Sequence, residues 1–459
     1  MKKCFFAGVL LSLCAFLVFA GGGQQGGGGS SAAPAATGVV GNTLKYDLSA
    51  PVNGGKNITL EFWSESRFER VYTELAAGYM RVHPNVKINL TYFGDEMLDK
   101  LAPALQTRTG PDVTYYHNEW DGVILPFVHP YPEDVLPLSA LRADFNLIDS
   151  HIQNDGKLYY FDMGIMTSGI FYNKKMWREA GLTDADIPAS WDQLVTVAKK
   201  LTQYDNAGNI TREGLSINEM QEFILQALSY QDGYFLFTGD NKPVINSPAW
   251  KVNLQFIQDL YTVHKVSSTR FPEGNEAFVN EQGAMSYIWG WAGAWLANYP
   301  DLEWGFFNLP TKGGKIPPAI DRNNGESTPV VTATRPEARA VGFDFLKFFL
   351  ANDSYLVAMA NLDGIVPVKK NLLDHPNIKN DVVLSTQTKI ADRTIWPGPV
   401  PAEYHTNIKT FAIQEVLFNG ASIDAALSNT QSVMDRDFGQ AFRNLSFRER
   451  LYAHANELK

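Results

Sequence analysis

Three tryptophans fall within seven residues in the run Ile288-Trp289-Gly290-Trp291-Ala292-Gly293-Ala294-Trp295, interleaved with small side chains. An indole offers a flat apolar face, and small neighbours leave room for something to lie against it. A pyranose ring presents a matching face of C–H groups, edged by hydroxyls that carboxylates, amides and arginine bind through charge-assisted hydrogen bonds. Side chains suited to that rim occur elsewhere: Trp63 with Glu65, Tyr116 with Asn118 and Glu119, and Arg393 with Trp396 in a proline-rich loop. No member of this set is diagnostic alone. A tryptophan among glycines is also an ordinary core residue, and a charged loop residue an ordinary solvated one.

What must position them is an alternation of strands and helices. Ile58, Leu60 and Phe62 alternate with polar residues and predict a strand ending at Trp63-Ser64-Glu65. Phe68, Val71, Leu75 and Tyr79 then recur at helical spacing up to His83-Pro84. Val86 to Tyr92 alternates again, Leu98, Leu101 and Leu105 mark a second helix, and Val113 to Tyr116 predicts a third strand. Strand, helix, strand, helix, strand implies a parallel sheet covered by helices, whose ligands bind beyond the carboxyl ends of the strands. Trp63, Glu65, Tyr116, Asn118 and Glu119 fall at those ends. Further on, Ser190-Trp191-Asp192-Gln193 predicts a capping box opening a helix buried through Leu194, Val197, Ala198 and Leu201.

The 459 residues allow two or three domains, and 45% hydrophobic with 19% charged residues fits a globular protein. A net charge of −10 argues against nucleic acid as a partner. The eight histidines form no H-E-x-x-H pair, and neither a G-x-S-x-G elbow nor a phosphate loop appears, so no metal or cofactor is expected. Gly21, Gly23 and Gly26 spell G-x-G-x-x-G without a strand before or a helix after it, a compositional accident. Asp205-Asn206-Ala207-Gly208-Asn209 lacks the register of a calcium loop and reads as a turn.

Lys2-Lys3, the apolar run Phe5 to Phe19 and Val18-Phe19-Ala20 form a secretory signal peptide over residues 1–20. Both cysteines, Cys4 and Cys14, lie inside it, so the exported chain would hold no thiol. Leu11-Ser12-Leu13-Cys14 only faintly resembles a lipoprotein box, because Leu13 is bulky where a small residue belongs. Free export therefore ranks above a lipid anchor. The Gly/Ala/Ser-rich stretch over 21–56 is expected to be a flexible tether.

Asp155-Gly156-Lys157-Leu158-Tyr159-Tyr160, expected as a strand, then Tyr172-Asn173-Lys174, Glu179-Ala180-Gly181-Leu182 and the Ser190–Leu201 helix closely resemble, in order, the extracellular sugar-binding proteins of bacterial ABC transporters, the family 1 solute-binding proteins. His83–Ile88, Thr109–Val113, Gly283–Met285, Gly290-Trp291, Ala338–Leu350 and Gly364–Val368 extend the resemblance over nearly the whole exported chain. It implies a periplasmic-binding-protein fold: two α/β lobes, three crossovers, and a ligand enclosed in the cleft between the lobes. The crossovers would lie near residues 163–167, 326–328 and 364–367. Lobe one would then hold 57–164 and 327–364, and lobe two 165–326 and 365–459. The implied ligand contacts are Trp63, Glu65, Arg67, Tyr116, Asn118, Glu119, Asp162, Glu219, Trp289, Trp291, Arg393 and Trp396, with Trp291 at the stacking position. The implied activity is binding without catalysis: a periplasmic monomer that captures a sugar and delivers it to the membrane permease subunits of an ABC importer. A secreted glycosidase, whose paired carboxylates carry no local signature, and a sensory partner of a chemoreceptor are the alternatives.

Overall fold

The computed structural model describes residues 38–314, 319–440 and 450–451. Its first sheet has the order β12-β5-β3-β4 and is built from β3 (Ile58–Glu65), β4 (Val86–Phe93), β5 (Val113–Thr114) and β12 (Val330–Val331). β3 runs parallel to β4 and β5, and β12 is antiparallel at the edge. Helices α1 (Glu69–Val82) and α2 (Met97–Gln106) fill the crossovers, as the periodicity predicts. Leu60, Phe62, Val71, Tyr72, Leu75 and Leu101 meet in this core, joined by Val341, Phe345 and Phe349 of the late helix Pro336–Ala351.

The expected tether is corrected where it is described. Residues 38–56 fold onto this core, with β1 (Val39–Gly41) and β2 (Lys45–Asp47) pairing as a hairpin. Leu44 and Tyr46 are buried, and the Asp144 carboxylate accepts the Thr43 and Leu44 N–H groups at 3.0 and 2.7 Å. The Tyr46 hydroxyl lies 2.6 Å from both His83 and Asp344. A glycine-rich composition conceals one aromatic and one leucine that suffice to anchor it. The signal peptide expected over residues 1–20, and residues 21–37, lie outside the described residues.

The second sheet is organised by the 12-residue strand β6 (Asp162–Asn173). Beyond a small hairpin, β7 (Gln203–Tyr204) and β8 (Ile210–Arg212), come β9 (Met285–Trp289), β10 (Trp304–Phe307), β11 (Asp321–Ser327), β13 (Val366–Pro367), β14 (Thr394–Trp396) and β15 (Arg450–Leu451). The first half of β6 pairs with β11 and β13, and its second half with β9 and β10. Gly164 thus sits between Glu326 and Pro367, and Ile165 between Gly325 and Val366. All three segments expected as crossovers therefore lie side by side. A Cβ at Gly164 would come within 2.5 Å of Ile365, and one at Gly325 within 1.6 Å of the Asp162 carboxylate, so close packing requires glycine at both positions.

Two observations differ from expectation. Residues 155–161 form a loop rather than a strand, tied down by the Tyr131 N–H to the Leu158 carbonyl (2.7 Å). Ile365, Val366, Val368, Leu372 and Ile378 belong to the first core, so the chain after Gly364 stays with lobe one longer than expected. A second core gathers Ile170, Leu194, Ala198, Leu201, Ile224, Leu228, Trp250, Tyr287 and Tyr404, with Leu427 and Met434 from the last long helix. The Ser190 box forms as expected, Gln193 N–H to Ser190 Oγ at 3.3 Å and Ser190 N–H to Gln193 Oε1 at 3.2 Å.

Candidate functional site

β3 delivers Trp63 and Glu65 to the carboxyl end of the first sheet. Trp63 packs on Phe93 with ring centres 5.0 Å apart. Glu65 bonds Arg67 Nε at 2.6 Å, and the same guanidinium reaches Asp363 at 2.6 Å, Glu326 at 3.2 Å and the Tyr115 hydroxyl at 2.9 Å. One cation thus ties the end of β3 to Glu326 of β11 and to Asp363, the residue before Gly364. Burial pushes the Glu326 carboxyl well above the usual range, with Asp363 adding to the push and Arg67 opposing it. Asp363 is raised too, again chiefly by burial. Both shifts favour the neutral form, since two buried acids beside one arginine cannot both ionise cheaply.

After β5 the chain turns sharply through residues 115–121. Tyr116, expected to meet ligand, is buried: its ring packs on Tyr160 at 4.7 Å and its hydroxyl donates to Asp121. Burial lifts Asp121 to about 7, against the pull of its two tyrosine hydroxyls. Asn118 is 1% exposed, with its Nδ2 lacking a partner, and it lines a pocket of about 380 Å³ shared with Glu119, Trp120, Pro399, Pro401 and Glu403. Glu119 stays partly exposed, 4.0 Å from His405 of lobe two and 3.9 Å from His117.

The facing wall comes from lobe two. Helix Gln221–Gln231 presents Glu222 and Phe223, β9 ends in Trp289, and β11 carries Arg322. Phe223 and Trp289 meet edge to face at 5.2 Å, and the Arg322 guanidinium lies 5.1 and 5.5 Å from their ring centres. His405 packs on Phe223 at 5.5 Å and hydrogen-bonds Glu222, whose Oε1 also accepts from Gln226 at 2.7 Å. Trp291 is half-buried, 6.1 Å from Trp295 and against the first core. Its loop is pinned where Gly290 meets Gly364: a Cβ on Gly364 (φ +65°) would lie 2.6 Å from the Gly290 carbonyl.

Other expected contacts lie elsewhere. Asp162 is buried, held by His151 at 3.1 Å and the Ser327 hydroxyl at 2.8 Å. Trp396 is buried and stacked on His151 at 4.5 Å. Glu219 pairs with Lys409 on an exposed face of lobe two. Arg393 precedes β14, its carbonyl accepting the Ile320 N–H at 2.8 Å. The structure therefore links Glu119 to Trp289 through His405 and Phe223, keeps Trp63, Glu65 and Arg67 at the sheet end, and places Tyr116, Asp162 and Trp396 in the interior. Sequence reasoning missed Glu222, Phe223, Arg322 and His405, which come from three separate segments with no common spacing.

Among the described residues no cluster of His, Cys, Asp and Glu could hold a metal, and no helix is long and apolar enough to cross a membrane. The chain is 25% identical over 279 residues to the arabinooligosaccharide-binding protein of Bacillus subtilis (strain 168), covering 56% of this chain and 61% of that protein. It thus spans less than two thirds of that relative's length. It is 22% identical to the maltotriose-binding protein of Pyrococcus abyssi, over 69% of this chain and 67% of that one. The maltose/maltodextrin-binding domain MalE from Bdellovibrio bacteriovorus, solved with maltotriose, superposes with a TM-score of 0.67 at 20% identity, covering 83% of this chain and all of that one. The cyclic alpha-maltosyl-1,6-maltose binding protein of Arthrobacter globiformis superposes at 0.66, with 21% identity over 83% of this chain and 98% of that one. These superpositions establish the two-lobed α/β fold. The sequence model for bacterial extracellular solute-binding proteins matches residues 74–386, and the chain belongs to that family.

Proposed function

We propose that the protein is the extracytoplasmic receptor of an ABC importer, capturing a sugar or oligosaccharide between its lobes and delivering it to membrane permease subunits. The observation that carries this reading is the cluster of Trp289, Phe223, Arg322 and His405, with Glu119 of the first sheet's end 4.0 Å from His405. Aromatic faces suit the C–H side of a pyranose, and the carboxylates and imidazole suit its hydroxyls. Sugar ligands in the names of the two relatives support the same class. The protein acts as a periplasmic monomer and leaves the sugar chemically unchanged. Lobe closure is then a population shift, driven by contacts that only the closed form makes.

A thermal-shift screen against mono- and oligosaccharides tests this. A ligand at 100 times its dissociation constant adds about 2.7 kcal/mol of stability, several degrees of melting temperature. A panel without any stabilising saccharide overturns the proposal. Chromatographic evidence of hydrolysis, lost on mutating a cleft carboxylate, replaces it with the glycosidase.

A further inference from the structure

Arg322 is only 3% exposed, yet among the described residues no carboxylate lies within salt-bridge distance of it. Its single side-chain hydrogen bond runs from Nη1 to the neutral amide of Gln226 at 3.3 Å, and its Nε, fully buried, has no partner. Neighbouring acids do not supply the missing charge. Asp321, next in sequence, accepts the Arg322 backbone N–H at 2.7 Å rather than a guanidinium N–H, and burial pushes its carboxyl well above the usual range against the pull of Arg322, which favours its neutral form. Glu222 reaches Arg322 only through the Gln226 amide, and its Oε1 is occupied by His405. Glu119 lies beyond His405. The rings of Phe223 and Trp289 offset part of the cost of burying the guanidinium, since aromatic faces attract cations. They are a weaker partner than an anion. A buried cation lacking a counter-ion, in the wall of the proposed sugar cleft, is a half-made ion pair.

From this we infer that the ligand is an anionic saccharide, carrying a ring carboxylate or sulfate that Arg322 neutralises while the sugar face lies against Trp289. The inference rests on the sugar-receptor reading and sharpens it to acidic sugars. An oxyanion suits the guanidinium better than the point charge of a lysine, because the planar fork offers two parallel donors. Phe223 and Trp289 hold that plane in place. Acidic and neutral sugars share the same C–H faces, so discrimination falls to Arg322 alone.

Calorimetric titration of the full chain with digalacturonate, galactobiose and a ring-sulfated disaccharide tests it. At low ionic strength an acidic disaccharide should bind at least 10-fold tighter than galactobiose, and the advantage should shrink as salt rises. Whichever acidic disaccharide binds tighter identifies the anion as carboxylate or sulfate. Arg322→Gln should abolish the advantage, while Arg322→Lys, which keeps the charge and loses the fork, should retain part of it. Galactobiose binding as tightly as either acid, or an acid-to-neutral ratio unchanged in both variants, overturns the inference and leaves a neutral-sugar receptor. If no saccharide of either kind binds, the sugar-receptor reading falls with it.

Discussion

Two arginines divide the molecule. Arg67 has a side chain 43% exposed and touches three carboxylates, two of them nearly buried. Arg322 is almost wholly buried and touches none among the described residues. Around Arg67 the acids outnumber the cation, and burial raises both Glu326 and Asp363, so the guanidinium already has its counter-ions. Around Arg322 the cation is in excess, and neutral rings and an amide stand in for the anion. The first arrangement ties the end of β3 to Glu326 and Asp363. The second is built to be finished by something from outside. Charge balance thus separates the structural arginine from the recognition arginine, although both lie on ordinary strand-end sequences.

The largest effect that should separate them is on folding. Arg67→Met strands Glu65, Glu326 and Asp363 around a missing charge, and chemical denaturation should show a loss of about 3 kcal/mol, as for breaking a buried pair. A loss below about 1 kcal/mol would mean that the exposed part of Arg67 leaves its contacts weak. Next comes the cleft wall. Trp289→Ala should cost about 2–4 kcal/mol of sugar binding by calorimetry, as an aromatic anchor does. Trp291→Ala should cost less in binding and more in folding, because its ring also packs against the first core. The reverse order would move the stacking face to Trp291. Smallest is Arg322→Met, whose unliganded stability should stay within about 1 kcal/mol of the parent or rise, because an unpaired buried charge is replaced by an apolar chain.

Acidity sharpens the comparison further. The folded state raises Glu326 and Asp363 above their ordinary values and lifts Asp121 from 3.8 to about 7. It therefore keeps protons that the unfolded chain releases. For Asp121 that stabilisation is complete below about pH 4 and is lost as pH rises to about 7, at up to about 1.4 kcal/mol per pH unit. Asp121→Asn should flatten this part of a urea-denaturation pH profile. Glu326→Gln should flatten the segment that starts above its ordinary 4.5 and should be nearly neutral otherwise, because the amide can donate to Asp363 in place of the neutral carboxyl. An unchanged profile in both variants would show that these acids ionise freely in the folded protein.

Most of the first lobe was legible in the sequence, because periods of two and 3.6 are local facts. Strands β3 and β4 and helices α1 and α2 appear within a few residues of where alternation and helical spacing predict them. The Ser190–Gln193 box was legible for the same reason, since its partners lie three residues apart. The hairpin over residues 38–47 was not, because its anchors, Asp144, His83 and Asp344, are remote in sequence. Side-chain direction was also hidden. Strand ends named Trp63, Tyr116 and Glu119, but only the turn after β5 decides that Tyr116 points inward to Asp121 while Glu119 approaches His405.

The sequence by itself determined the alternation that builds two α/β layers, the absence of local catalytic signatures, and the aromatic loop at 288–295. Tertiary structure alone decided which residues meet around the proposed cleft. Glu222, Phe223, Trp289, Arg322 and His405 come from segments up to 183 residues apart, and a charge is known to be unpaired only when every neighbour in space has been counted. Local propensity reads neighbours along the chain, whereas charge balance reads neighbours across it.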